Sequence, residues 1–283
     1  MKFIIWGHKL HSHTHSYIHN GYKKALEYLG HEVYWFDQND KLENFNFSDS
    51  IFFTEDQAKK GMPLRNDCKY IVHHINKDYF SGIENVLNLG NYTVDVEKFD
   101  KVKDQCYFDS FSNTLFQCWA TDLTPNVINE NDFCVYDNSK NNLNYIGTLY
   151  EEGRSFSKDF EKLLKKLNKK FILYRNVSDI ENYNLTRNSY LSPDFRGLHH
   201  IKVGYIPCRV FKNISYGQMT GTNSVNIKRV LGDHVIFGSD PLSLLENMII
   251  AGENNKINMK NAMLFIKENH TYVNRISNIL NFL

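Results

Sequence analysis

Arg209, Lys212 and Asn213 lie in the stretch Gly204-Tyr-Ile-Pro-Cys-Arg-Val-Phe-Lys-Asn-Ile-Ser-Tyr-Gly217, followed by the small polar run Thr220-Gly-Thr-Asn-Ser224. Pro207 is tolerated where a helix has no intrahelical partner for its N–H, and Gly217 is a stop, so the spacing predicts a helix between them. Positions three and four apart share a face, which places the three side chains together about one turn deep. Backbone N–H groups, the helix dipole and two fixed cations would together suit a diphosphate. Tyr205 precedes the helix. Asn223 and Ser224 fall in a turn that lets another part of the same ligand approach the backbone. The competing reading is an amphipathic helix with solvated cations.

A second group of residues could move protons. Asp37, Glu55, Asp56, His73 and His74 each follow an apolar run that reads as a strand, and ligands of open α/β sheets bind outside the carboxyl ends of strands. Glu55 directly follows Ser50-Ile-Phe-Phe-Thr54 and is the preferred general base, with His74 and His13 as further catalytic candidates. Each of these residues could instead cap a helix or sit exposed in a loop. His8, His11, His13, His15 and His19 invite a metal reading. Their alternation within a loop, the lack of a neighbouring Cys or carboxylate in the sequence and the absence of H-E-x-x-H argue against one, so no metal is expected. His13 and His15 are instead expected to line a cleft. His15, Asp37 and His73 are assigned to an acceptor and His13 to catalysis.

Lys2–Trp6 reads as a buried strand, a helix is expected from about Ser16 to Leu29, and His31–Asp37 reads as a second strand. That order is a βαβ unit with parallel strands. No G-x-G-x-x-G follows the first strand, which removes the main support for a dinucleotide oxidoreductase. Residues 86–144 are less informative: Cys106–Phe108 and Thr114–Trp119 read as strands, and the polar run from Asn129 to Asn144 as an interdomain linker. The chain then restarts with a strand ending at Gly147, a helix with an apolar stripe at Phe156, Phe160, Leu163, Leu164 and Leu167, and the strand Phe171–Tyr174. Arg175 follows that strand, and Arg196 and His199 follow another strand end near Ser192. Three cations facing one ligand would make the site strongly electropositive. Asp95 and Glu97 are the nearest approach to a metal-holding Asp-x-Asp.

The pattern Arg209-Val-Phe-Lys-Asn-Ile-Ser-Tyr-Gly217, the strand-like Val235–Phe237, Asp240-Pro-Leu-Ser-Leu-Leu245 and Asn269-His-Thr-Tyr-Val-Asn-Arg275 resembles the C-terminal half of group-1-type glycosyltransferases. The likeness runs over about residues 145–283 and is greatest for the spore-maturation-type subgroup and short enzymes of large DNA viruses and phages. It implies two Rossmann-like domains facing each other across a cleft: an acceptor-side domain (1–135) and a nucleotide-sugar-binding domain (136–283) whose last helix packs back on the first. It also implies that Gly147 lies under the donor phosphates, that Arg175 is near the base, and that the Arg209 helix holds phosphates and ribose. Lys212 stands where the family has Glu, which puts a ribose-hydroxyl contact in doubt and suggests a second phosphate-binding cation. Residues 120–125 resemble the last loop of the acceptor domain, and Thr54-Glu-Asp-Gln57 with Pro63 resembles the base-bearing loop of the viral and phage relatives.

The chain of 283 residues is long enough for two cores, and its formal net charge of +1 supplies no field for nucleic acid or an anionic membrane. No apolar run approaches the roughly 20 residues of a membrane helix, and five scattered Cys argue for reduced thiols, so a cytoplasmic protein is expected. The resulting expectation is a metal-independent glycosyltransferase, by slight preference inverting. It would move a sugar from a UDP- or GDP-linked donor to a glycan or other hydroxyl acceptor. A nucleotide-sugar 2-epimerase of the same build and an inert nucleotide-sugar or glycan-binding protein remain alternatives.

Overall fold

The computed structural model describes residues 1–75, 78–92, 106–149 and 151–283. Asp95 and Glu97 lie outside these residues. The fold is mixed α/β with a mainly parallel sheet.

That sheet has seven strands in the order β2-β1-β3-β4-β5-β7-β6. These are β1 (Lys2–Trp6), β2 (Glu32–Phe36), β3 (Ile51–Glu55), β4 (Lys69–His73), β5 (Val86–Gly90), β6 (Cys106–Asp109) and β7 (Thr114–Gln117). All pairs are parallel except β6 with β7. Alternate side chains of a strand face opposite ways. Phe3, Ile5, Phe53 and Ile71 therefore enter one core with helix α1 (Thr14–Tyr28), while Ile4, Trp6, Phe52, Tyr70 and Val72 enter a second core on the other face. Because β1 pairs with β2 on one side and β3 on the other, the strand order reverses beside it. A crevice opens at the carboxyl ends of strands at such a point. Here those ends deliver Gly7-His8 from β1 and Glu55 from β3.

The later part of the chain builds two small parallel sheets. Strands β8 (Asn142–Ile146) and β9 (Lys170–Tyr174) form one; β10 (Ser192–Asp194), β11 (Thr220–Thr222) and β12 (Ile236–Phe237) form the other, in that order. The Tyr190 amide donates to the Asn142 carbonyl at 2.7 Å and links the two. Helices α2 (Glu151–Lys166), α3 (Asp179–Arg187), α4 (Leu198–Lys202), α5 (Cys208–Ser215), α6 (Val225–Leu231), α7 (Pro241–Glu253) and α8 (Met259–Asn269) surround them. Phe160, Leu164, Phe195, Val210, Ile214, Leu244 and Met248 are shared in one core. Helix α9 (Tyr272–Leu280) leaves this core: Tyr272, Ile276 and Ile279 pack with Tyr22 and Leu26 of α1. Gly21 of α1 allows this, since a Cβ there would collide with the Tyr272 ring. Arg275, fully buried, donates to the Cys118, Trp119 and Asn269 carbonyls and pins α9 in place.

Several elements differ from the sequence expectation. Thr220–Thr222 is the central strand of the three-stranded sheet, not a turn; Gly221 is required there because Met248 and Leu244 press on it. Strand β5 has no expected counterpart. Leu87 and Leu89 face the core shared with α1, and Gly90 is buried under the Phe116 ring. Leu167 lies beyond the end of α2 and is exposed, so the stripe ends at Leu164. Pro207 stands just before α5, at its N-cap position, rather than in its first turn. Among the described residues, no helix is long and apolar enough to cross a membrane.

Candidate functional site

A cavity of about 960 Å³ opens between α5, the β8 end and the loop before α1. One wall is cationic. Pro207 provides no side-chain cap to α5, and Pro207, Cys208 and Arg209 line the cavity, so the helix presents uncapped N–H groups there. Arg209 donates through Nε to the Ile146 carbonyl at 3.0 Å and through Nη1 to Asp194 at 2.8 Å, with its guanidinium 4.2 Å from the Tyr145 ring centre. Gly147 has a φ of +123°, and a Cβ on it would collide with Arg209 Nη2. Glycine is therefore required twice over, for its backbone conformation and for the close approach.

Arg196 reaches the same Asp194 in a two-pronged pair, Nε to Oδ2 at 2.8 Å and Nη2 to Oδ1 at 2.6 Å. Its guanidinium lies 5.8 Å from the ring centre of Tyr205, which also lines the cavity. Lys212 is buried and pairs with Asp122 at 3.2 Å; Tyr216 donates to that carboxylate at 2.8 Å. Burial pushes the Lys212 ammonium toward deprotonation, but Asp122 together with Cys208 and Asp179 holds the pKa above the ordinary lysine value. Arg175 is exposed at the rim. The wall is less electropositive than the sequence suggests: Arg175, Arg196, Arg209 and Lys212 stand against the buried carboxylates Asp122 and Asp194. The excess, four cations over two anions, is still two positive charges.

Two predicted donor contacts are engaged as supports, and a third lies off the cavity. Asn213 reaches the cavity, but its amide donates to the Ser192 carbonyl and Thr220 Oγ1 and so ties α5 to the sheet. Asn223 lies off the cavity and holds both the N–H and the carbonyl of Arg196. Ser224, buried at the α6 N-cap, is also off the cavity.

The facing wall is built of imidazoles. His13 caps α1 by accepting from the His15 amide, and its ring stacks on His8 with centres 4.2 Å apart. His13, His15 and His74 line the cavity. Burial lowers the pKa of His15 to about 4, so the ring is neutral near pH 7. Both its nitrogens are buried without a hydrogen-bond partner. Burial also lowers the pKa of His74, whose backbone adopts the left-handed region at φ +56°.

The remaining predicted residues lie elsewhere. Glu55 is buried off the cavity, where it accepts from the Gln57 amide and pairs with His8 Nε2 at 2.9 Å. Burial pushes its carboxyl up, but the His8 hydrogen bond and His15 hold it below the ordinary value. A carboxylate so occupied positions His8 rather than meeting an acceptor. His73 is buried against Trp119, and Asp37, just past the edge strand β2, closes a turn to the Asn39 amide; neither lines the cavity. The sequence does not single out Asp194, Asp122, Tyr145 or Trp119, and it raises His8 only within the metal reading. Asp194 was signalled by its place at a strand end two residues before Arg196, whereas Asp122 and Trp119 depend on long-range packing.

No family model matches the chain, and no curated protein does. Among solved structures the chain is similar in fold to an α-glucosyltransferase in complex with UDP and a 13-mer DNA containing a central A:G mismatch. The match has a TM-score of 0.60 and covers 99% of this chain and 98% of the other, at 9% sequence identity. It is a likeness of fold across nearly the whole of both chains.

Proposed function

We propose that the chain is a glycosyltransferase that takes a UDP- or GDP-linked sugar and passes the sugar to a hydroxyl of a glycan or other acceptor. The observation that carries this reading is the uncapped α5 N-terminus with Arg209 seated against Gly147, facing neutral imidazoles across one cavity. The fold likeness to a UDP-bound glucosyltransferase supports it. In this reading residues 1–135 form the acceptor side and 136–283 the donor side.

The diphosphate lies at α5, where N–H groups, Arg209, Arg196 and Lys212 take up the charge that develops on the leaving group, with no metal on the phosphates. His74 accepts the acceptor's proton. The acceptor oxygen bonds to the anomeric carbon as the carbon–oxygen bond to the diphosphate breaks, and the electron pair departs with the nucleotide. If the acceptor oxygen enters opposite the departing diphosphate, the anomeric configuration inverts.

The test is a thermal-shift panel of UDP, GDP, CDP and ADP, with and without Mg²⁺, on the wild type and Arg209→Ala. A ligand of the folded state raises apparent stability by about 2.7 kcal/mol at a hundred times its dissociation constant. The expected result is that one diphosphate stabilises the wild type without Mg²⁺ and the variant responds far less. Equal responses would remove the diphosphate from α5. Turnover is then sought with the matching sugar nucleotide alone, with oligosaccharides and with duplex DNA, since the similar structure holds DNA beside UDP. Conversion without acceptor would favour the epimerase.

A further inference from the structure

The histidine wall contains an arrangement that the proposed transfer does not use. One nitrogen from each of His8, His13 and His15 lies within 4.8 Å of the other two. The rings are stacked rather than hydrogen-bonded to one another, at centre separations of 4.2 Å for His8–His13 and 5.4 Å for His13–His15. His8 follows β1 in the left-handed region at φ +47°, and His13 and His15 straddle the start of α1. The three ligands thus come from the loop after β1 and the first turn of α1, with one nitrogen of each already within 4.8 Å of the others. The alternation of the histidines, the lack of a nearby Cys or carboxylate in the sequence and the absence of H-E-x-x-H argue against a metal; folding supplies a carboxylate, placing Glu55 on His8 Nε2 at 2.9 Å.

We propose that His8, His13 and His15 bind a divalent transition-metal ion of the zinc and cobalt class, with a further coordination position open to the cavity. Imidazole-only ligands select such ions over Mg²⁺ and Ca²⁺, which prefer oxygen. Three histidines plus an open position is the pattern of reactive rather than structural zinc sites. The Glu55–His8 pair supplies the outer carboxylate that orients a ligating ring and leaves His8 Nδ1 for the ion. His15 has both nitrogens uncommitted among the described residues. His13 gives up its cap to the His15 amide on coordination, one hydrogen bond exchanged for a metal–nitrogen bond. Because His13 and His15 line the cavity, the open position faces it. An acceptor oxygen would bind there; that role rests on the glycosyltransferase reading, whereas metal binding itself does not.

The experiment is titration of chelator-treated protein with Co²⁺, read as bound metal per chain and as visible absorption of the ion, followed by displacement with Zn²⁺. Wild type should take up one Co²⁺ with the intense absorption of a low-coordinate nitrogen site. Mg²⁺ should not compete. His13→Gln/His15→Gln should abolish uptake, and Glu55→Gln should weaken it by about 10- to 100-fold. His31→Gln, on a separate loop, should bind as wild type. Thermal unfolding of each variant shows whether it is folded, and if the double variant is not, Glu55→Gln and His15→Gln carry the test. Absence of uptake by the wild type would overturn the proposal, as would uptake that survives loss of His13 and His15 or is displaced by Mg²⁺. Diphosphate stabilisation through Arg209 is measured without metal, so failure of either reading leaves the other standing.

Discussion

The wall around Arg209 holds its cations against buried carboxylates, whereas the wall around His15 holds neutral rings with unpartnered nitrogens. The first is a finished electrostatic structure. Asp194 fixes two guanidiniums, Asp122 fixes Lys212, and the geometry exists before any ligand arrives. Such preorganisation is what charge stabilisation of a leaving group demands, since little reorganisation remains for the reaction step. The second wall is unfinished. Its rings are desolvated, and both nitrogens of His15 lack a hydrogen bond, a cost that a bound ion, acceptor or water can relieve. One wall binds by charge already in place, and the other by the needs of groups left unsatisfied.

The sharpest way to break this comparison is to remove the carboxylate that completes the first wall. Asp194→Asn leaves Arg196, only 8% exposed, and Arg209 without their counter-charge. Loss of one partner of a buried ion pair costs about 3–5 kcal/mol, so the midpoint of denaturant unfolding should fall sharply. The variant should nevertheless be stabilised more than wild type by the preferred nucleoside diphosphate, because two guanidiniums then depend on the ligand for their anion. A ligand response that shrinks along with the stability would mean that Asp194 builds the pocket rather than tuning its charge.

The second wall is tested through His74. Replacing it with Ala should lower kcat about 100-fold or more, the contribution of a positioned general base, while diphosphate stabilisation stays as in wild type. The pH profile adds a sign. Burial lowers the His74 pKa, so the neutral base persists as pH falls through 6.5 and turnover is lost only below that value. Diphosphate stabilisation should fall in the same range only as the ligand's own terminal phosphate is protonated, at about pH 6, and should do so equally in wild type and His74→Ala. An acid limb above pH 6.5, or one that survives in His74→Ala, would assign the base elsewhere.

The unequal legibility of the two walls has a physical cause. Arg209, Gly147 and Arg196 stand at strand ends or helix starts that local patterns mark: an apolar run, a Pro, a Gly. Their partner Asp194 is two residues from Arg196. The Glu55–His8 pair spans 47 positions, and Lys212 meets Asp122 only when α5 docks on the loop after β7. Local pattern cannot report such contacts. The same limit hid β11: Thr220-Gly-Thr222 has a turn-like composition, and only Met248 and Leu244 packed on Gly221 reveal why a strand there must be small.

Gly147 offers the mildest intervention and the most discriminating one. Its φ of +123° is costly for any residue with a Cβ, by about 1–3 kcal/mol. Alanine would also meet the Arg209 guanidinium, which must then leave the Ile146 carbonyl and swing away from Asp194. Gly147→Ala should therefore keep the fold, with a modest loss of stability, while weakening diphosphate binding about tenfold or more, near the 1.4 kcal/mol of a single displaced contact. Metal uptake by the histidine wall should be untouched. Equal diphosphate affinity in wild type and Gly147→Ala would mean that Arg209 binds from a range of positions, and the contrast between a fixed wall and an adaptable one would fail on its stronger side.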